Sequence, residues 1–461
     1  MPAPAASNPD TLRQHLARQP AASAADLASA LGVSVPTVHR LLARLPAGEL
    51  LSAGKARRAR YALARPLRGG PAVLPVHAVD AAGRLHALGP LALTRPEGSL
   101  MDLAGTAWPV PEEARDGWWP GLPYPLHQMR PQGYMGRQFA QAEHRRLQVP
   151  ADLAQWSDDD ALFAISQAGS DLSGDLIVGD AACELWLAER ASGIEPTPEA
   201  RTVGHYVEQA TLAVATGVAG SSAAGEFPKF TARRQLAGAA TPHVIVKFSG
   251  AEDSATVRRW ADLLVCEHLA LLHAATLPGL RSARSRVLLG EGRTFLEVER
   301  FDRHGDAGRS PLAALDVLDA AFVGSTAIDW PRVAARLGAL GLLDDAAQAA
   351  VQRLWWFGRL IANSDMHPGN LAFQPAQGRL RLAPAFDMLP MRLAPLPGGE
   401  VPERAPEFAL PQPAQRAAWL DACAAALGFW REAAGDTRIS PAFRATCTAH
   451  AEALDRLRER A

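Results

Sequence analysis

The sequence predicts an α+β protein of three parts: a small helical head closed by a basic hairpin, a strand-rich middle and a helical C-terminal section. Up to Leu45 the apolar residues recur at i, i+3 and i+4, which is helical spacing. From about Ala72 to about Arg300, short apolar runs such as AVLPVHAV, GDLIVGD, HVIVKFSG and RTFLEVERFDR stand between Gly, Pro and Asp, the pattern of strands with few helices. From about Pro311 helical spacing returns in LAALDVLDAAF, WPRVAARLGAL and DDAAQAAVQRLWWFGRLIA, and lasts to the final AEALDRLRERA. At 461 residues the chain exceeds the usual domain of roughly 100–200 residues, so the divisions are expected at 1–66, 67–304 and 305–461. A cleft is expected between the strand-rich part and the helical part.

In the head, Leu12 and Leu16 mark a first helix, Leu27, Ala28 and Leu31 a second, and Val38, Leu41, Leu42 and Leu45 a third. Gly32 suits a tight turn between the last two, while Ser34 and Pro36 supply an N-cap and an early-helix proline. That is helix-turn-helix geometry, whose second helix lies in the major groove of duplex DNA. Its outward residues would be Thr37, His39, Arg40 and Arg44. Beyond them ELLSAGKARRARYALA alternates around Gly54 and Lys55 and reads as a hairpin. Its tip residues Lys55, Arg57, Arg58 and Arg60 would touch the phosphate backbone. From Met1 to Arg68 there are ten Arg or Lys against three acids, a surplus of seven positive charges on a chain whose net charge is −1. A basic head on an acidic body points to a polyanion as the head's partner. The segment resembles the winged helix-turn-helix domains of bacterial transcription regulators. Its bland alternative is a helical docking module with solvated arginines. Such DNA readers often pair on half-sites, so a homodimer is a reasonable expectation. Pro and Gly between Ala64 and Ala72 read as a linker.

The four cysteines, Cys183, Cys266, Cys423 and Cys447, form no CxxC pair, which argues against a zinc site and a disulfide framework. No signal-like N-terminus and no run of about 18 uncharged apolar residues is found, so a cytoplasmic protein without a membrane span is expected.

Two residue types are scarce. Lysine occurs only at Lys55, Lys229 and Lys247, and asparagine only at Asn8, Asn363 and Asn370. Two of the three asparagines fall in NSDMHPGN, Asn363 to Asn370. There Asp365 and Asn370 stand five apart across a turn that Pro368 and Gly369 enforce. Phosphoryl transfer uses such a pair, a carboxylate that orients or deprotonates the attacking hydroxyl and an amide that helps hold magnesium. Asp387, after strand-like RLRLAPAF, stands where a second magnesium ligand belongs. Upstream, Lys247 ends the strand HVIVK, and Glu267 lies on the following helix, where it could pair with it. The small-residue loop GVAGSSAAGEFPKF, with Gly225 inside it and Lys229 near its end, could cradle phosphates on its backbone amides. Each feature alone is weak, and a solvated Glu267 or surface Lys229 is the ordinary reading of either. The order carries the argument: glycine-rich loop, strand lysine, helix glutamate, Asp/Asn loop, metal aspartate.

Taken together, SSAAGEFPK, HVIVK, VERFDR, NSDMHPGN and APAFDMLP resemble the HipA-like serine/threonine kinases of bacterial toxin-antitoxin systems, from roughly Gly70 to the C-terminus. With the head attached, the chain resembles the YjjJ subgroup. The resemblance implies a β-rich N-lobe, an all-helical C-lobe, and ATP with Mg2+ between them. It implies that Asp365 is the catalytic acid, Asn370 and Asp387 are magnesium ligands, and Lys247, Lys229, Gly225 and Glu267 serve ATP. Autophosphorylation would fall on Ser222, or on the neighbouring Ser221. A separate antitoxin supplies the DNA-binding domain to most such kinases, so this chain's need of one is open. The alternative is a transcription regulator whose body senses nucleotide without transferring phosphate. His367, Trp118, Trp119, Trp355 and Trp356 read most simply as structural.

Overall fold

Three short helices open the chain, Pro9–Leu16, Ala24–Leu31 and Val35–Leu42, in a computed structural model that describes residues 8–19, 21–215, 227–325 and 329–461. Each start has a local cause. The Asn8 side chain accepts the Thr11 N–H at 2.8 Å, and Ser23 with Asp26 forms a reciprocal capping box. Gly32 ends the second helix at φ 62°, a left-handed conformation that suits glycine. Leu12, Leu16, Leu27, Val38, Leu41 and Leu42 close a small core with Leu63. Strands Leu50–Ala53 and Arg60–Leu63 pair antiparallel, and Ala22–Ser23 adds to the second.

The stretch after this head is no free linker. The Arg65 N–H donates to the Leu93 carbonyl and the Arg95 N–H to the Leu63 carbonyl, both at 2.9 Å. Arg65 pairs with Asp159, Arg68 lies 3.6 Å from Asp160, and Leu67 is buried in the main core. Anchoring by those three side chains overrides the flexible composition.

The middle carries a five-stranded sheet in the order Trp118–Trp119, Ser99–Leu100, Leu85–Leu93, Val73–Val79, Leu176–Val178. It also carries more helix than the strand pattern suggests: Gly133–Leu147, Asp158–Ala168, Asp180–Ala191, Thr202–Ala215 and Ala255–Ala274. Several bury few large side chains. The helix Gly133–Leu147, for example, buries Tyr134, Gly136, Ala140 and Leu147, so its apolar period is faint. A second antiparallel sheet has the order Ser285–Gly290, Arg293–Glu299, His243–Phe248, Lys229–Arg233. Helix Thr202–Ala215 covers one face through Tyr206 and Ala210.

The C-terminal section is helical over Leu315–Phe322, Trp330–Ala339, Asp345–Leu360, Arg416–Gly435 and Pro441–Arg458. It is not all-helical, because Ala372–Ala376 and Arg379–Leu382 form a hairpin that pairs with Ala313–Ala314. One core cluster runs from Leu67 to Leu454 and joins the middle to this section. Among the described residues no helix is long and apolar enough to cross a membrane.

Candidate active site

Alternation along the strand His243–Phe248 decides where its lysine points. Val244, Val246 and Phe248 pack with Tyr206 on one face, so Lys247 emerges on the other, toward helix Ala255–Ala274. There its ammonium donates to both oxygens of Glu267, at 2.7 and 2.8 Å, and to Oδ1 of Asp387 at 2.5 Å. Lys247 is 6% exposed and Glu267 1%. Lys229 is the cross-strand partner of Lys247, which brings a second cation to the same end of the sheet.

One cation now faces two carboxylates. Burial disfavours the Lys247 charge, but Asp387 and Glu267 outweigh it and hold the ammonium protonated beyond its ordinary range. Burial also pushes Asp387 up, yet Lys247, with Lys229 behind it, brings the carboxyl down to about 2. Glu267 is the deeper acid; burial raises it to about 7, and Lys247 only partly offsets this while Asp387 adds to it. The triad therefore takes its extra proton on Glu267 and keeps Asp387 ionised.

The quoted loop leaves helix Asp345–Leu360 by a tight route. Ala362 sits at φ 58° and the Asn363 N–H donates to the Gly358 carbonyl at 2.9 Å. A Cβ on Gly358 would stand 2.5 Å from the Met366 sulfur, so the Met366 side chain packs directly on the helix backbone there. The buried Asn363 side chain accepts the Asp365 N–H through Oδ1 at 2.9 Å. Asn370 donates from Nδ2 to the Asp365 carbonyl, also at 2.9 Å, and its own N–H reaches the His367 carbonyl at 3.0 Å. Trp330 donates its indole N–H to that same carbonyl at 3.2 Å, and His367 Nδ1 accepts the Gly369 N–H at 3.1 Å. Asp387 itself lies at φ 57°, a strained setting for a residue other than glycine. Its neighbour Met388 contacts Asn363 Nδ2 at 4.0 Å, which ties the Asp387 turn to the Asp365 loop.

The geometry thus presents a buried ammonium that can meet an anion, an ionised carboxylate beside it, and an Asp/Asn loop held by backbone hydrogen bonds. Residues 71–187 match the family model described as "YjjJ-like toxin, middle domain", and residues 221–454 match "HipA-like C-terminal domain". Over 423 residues the chain is 36% identical to Toxin YjjJ of Escherichia coli (strain K12), covering 92% of both chains. This chain belongs to the YjjJ-like group of HipA-related toxins. The HipA fold is also seen in the Shewanella oneidensis MR-1 toxin-antitoxin complex of HipA, HipB and operator DNA. That match has a TM-score of 0.50 at 15% identity and covers 84% of this chain and 99% of the other.

Of the residues singled out in this family member's sequence, Lys247, Glu267 and Asp387 meet directly, Lys229 flanks them, and Asp365 and Asn370 share one loop. Gly225, Ser221 and Ser222 lie outside the described residues. In the head, His39, Arg40, Arg44, Lys55, Arg57, Arg58 and Arg60 are exposed and Thr37 is half-buried, its hydroxyl accepting from Arg40 at 3.0 Å. Sequence reasoning missed the roles of Asn363 and Trp330 in holding the loop. The scarcity of asparagine pointed at Asn363 without saying what it does.

Proposed function

We propose that the chain is an ATP- and Mg2+-dependent protein serine/threonine kinase that carries its own DNA-binding head. The lysine bridging Glu267 and Asp387 is the observation that carries this reading. An ammonium so placed can exchange a carboxylate for the α- and β-phosphates of a nucleotide, with Glu267 keeping it in position. Asp387, held ionised, and the amide oxygen of Asn370 suit a hard cation, whose remaining ligands the phosphates would supply. Bound magnesium would neutralise charge developing on the transferred phosphoryl group. Asp365 would accept or orient the hydroxyl proton of the substrate, and positioning by the loop supplies the rest.

The exposed arginines of the third helix and the hairpin tip support a winged helix-turn-helix reading of the head, with duplex DNA as its partner. A cytoplasmic location, an antitoxin partner and a homodimer go with that reading.

Intact-mass spectrometry after incubation with Mg-ATP tests the enzyme, run beside Asp365→Ala. We expect one phosphate on Ser222 or Ser221 in the wild type only. Turnover of the variant should fall by about 10²- to 10⁴-fold, the contribution of a general base, with its melting temperature unchanged. No phosphate in the wild type, starting from unphosphorylated protein that binds ATP, would favour a nucleotide-sensing regulator.

A further inference from the structure

A cavity of about 660 Å³ lies between the middle part and helix Leu315–Phe322, away from the Lys247 triad. Its walls are aromatic and aliphatic, from Trp118, Trp119, Leu122, Tyr124 and Val317. Trp118 is 8% exposed and its indole N–H has no hydrogen-bond partner. At the rim two acids, Glu113 and Asp316, stand against one cation, Arg130, which is ion-paired with Asp158.

The cavity also adjoins the catalytic loop. Helix Leu315–Phe322 packs on Pro368–Asn370, and an Asp316 oxygen lies 3.7 Å from where a Cβ on Gly369 would stand. Tyr124 packs edge-on against Phe322 at 5.4 Å, and the Gln128 side chain accepts the Ala314 N–H at 2.7 Å, so the middle part is fixed to this helix.

We infer that this cavity docks a segment of the protein substrate, taking one large apolar side chain with a Lys or Arg beside it. The inference rests on the kinase reading for the identity of its occupant. An apolar anchor fits the walls and volume, and a cation suits Asp316 and Glu113. A segment held there lies next to the loop that carries Asp365, which is what transfer to a protein hydroxyl needs.

The test is binding, without ATP, of a positional-scanning library of fluorescent peptides to the full-length protein, read by anisotropy. Selection of an aromatic or aliphatic anchor with an adjacent basic residue is expected. Ala320→Trp, at an exposed lining position, should weaken the selected peptide about tenfold or more by filling the cavity. Asp316→Asn should lower the preference for the basic neighbour while keeping the apolar one. Absence of any selected peptide, or a selected peptide indifferent to both variants, overturns the inference. So does saturation of the cavity by tryptamine with no peptide selected, which would assign it to small aromatic amines. Autophosphorylation, measured separately on the same wild-type protein, tests the kinase reading without touching this result.

Discussion

Lys247 shows how one side chain can be read from sequence while its environment cannot. A lysine ending an apolar strand is visible as text, but that it faces two acids, one held ionised and the other raised to about 7 by burial, is not. A pH test follows from this asymmetry. Glu267 has an ordinary value of 4.5 and is raised to about 7 in the fold, so the folded state holds a proton the unfolded state has lost. Its contribution to stability is complete below 4.5 and disappears as pH rises through 7. Asp387 runs the other way: lowered from 3.8 to about 2, it contributes above 3.8 and loses that contribution only as pH falls toward 2. Between pH 5 and 8 only Glu267 of the triad changes. Glu267→Gln, which stays neutral, should therefore gain stability relative to wild type as pH rises over that window. Urea midpoints of the two proteins at pH 5 and pH 8 check it, and a constant difference would show that Glu267 carries no raised pKa.

At the scale of elements, the site is built where a helix stops and a strand turns. Helix Asp345–Leu360 ends against Met366 at Gly358, and Asn363 then fixes the Asp365 backbone. Asn363→Ala should leave the Asp365 N–H without its acceptor, costing about 1–3 kcal/mol of stability. Phosphoryl transfer should slow about ten- to a hundredfold through the misplaced carboxylate. KM for ATP should move less, because the Lys247 and Glu267 pair belongs to other elements. Thermal melts and steady-state kinetics separate these effects, and a variant with normal kcat would remove Asn363 as a positioning residue. The loop was legible because Pro368 and Gly369 can only turn, and the strand and helix before it because their apolar residues keep a clean period. Helices such as Gly133–Leu147 were not, since they bury small residues and the period that betrays a helix is missing. The capping box of Ser157 and Asp160 was a readable start signal for Asp158–Ala168 that apolar spacing alone passes over.

On the whole molecule, a sequence counts charges but does not say which are already spent. The head's surplus of positive charge includes Arg13, whose Nε donates to Glu49 at 2.7 Å, and Arg65 and Arg68, which clamp Asp159 and Asp160. These three hold the head together or hold it to the body. The exposed residues Arg40, Arg44, Lys55, Arg57 and Arg60 remain for a polyanion, while Arg58 lies 3.8 Å from Asp116. If the head binds duplex DNA, affinity should fall with salt at a slope of about −0.9 in log K per phosphate neutralised. Lys55→Ala and Arg57→Ala should each lower the magnitude of that slope by roughly 1. Arg65→Ala and Arg68→Ala should leave it unchanged, because their charge is committed within the chain, and Arg65→Ala should instead expose the Arg68–Gly69 bond to trypsin. Fluorescence anisotropy with a labelled duplex across a salt series reads the slopes. Equal losses of slope from both pairs would mean that the clamp opens on DNA, and no binding at low salt would make the head a protein-docking module.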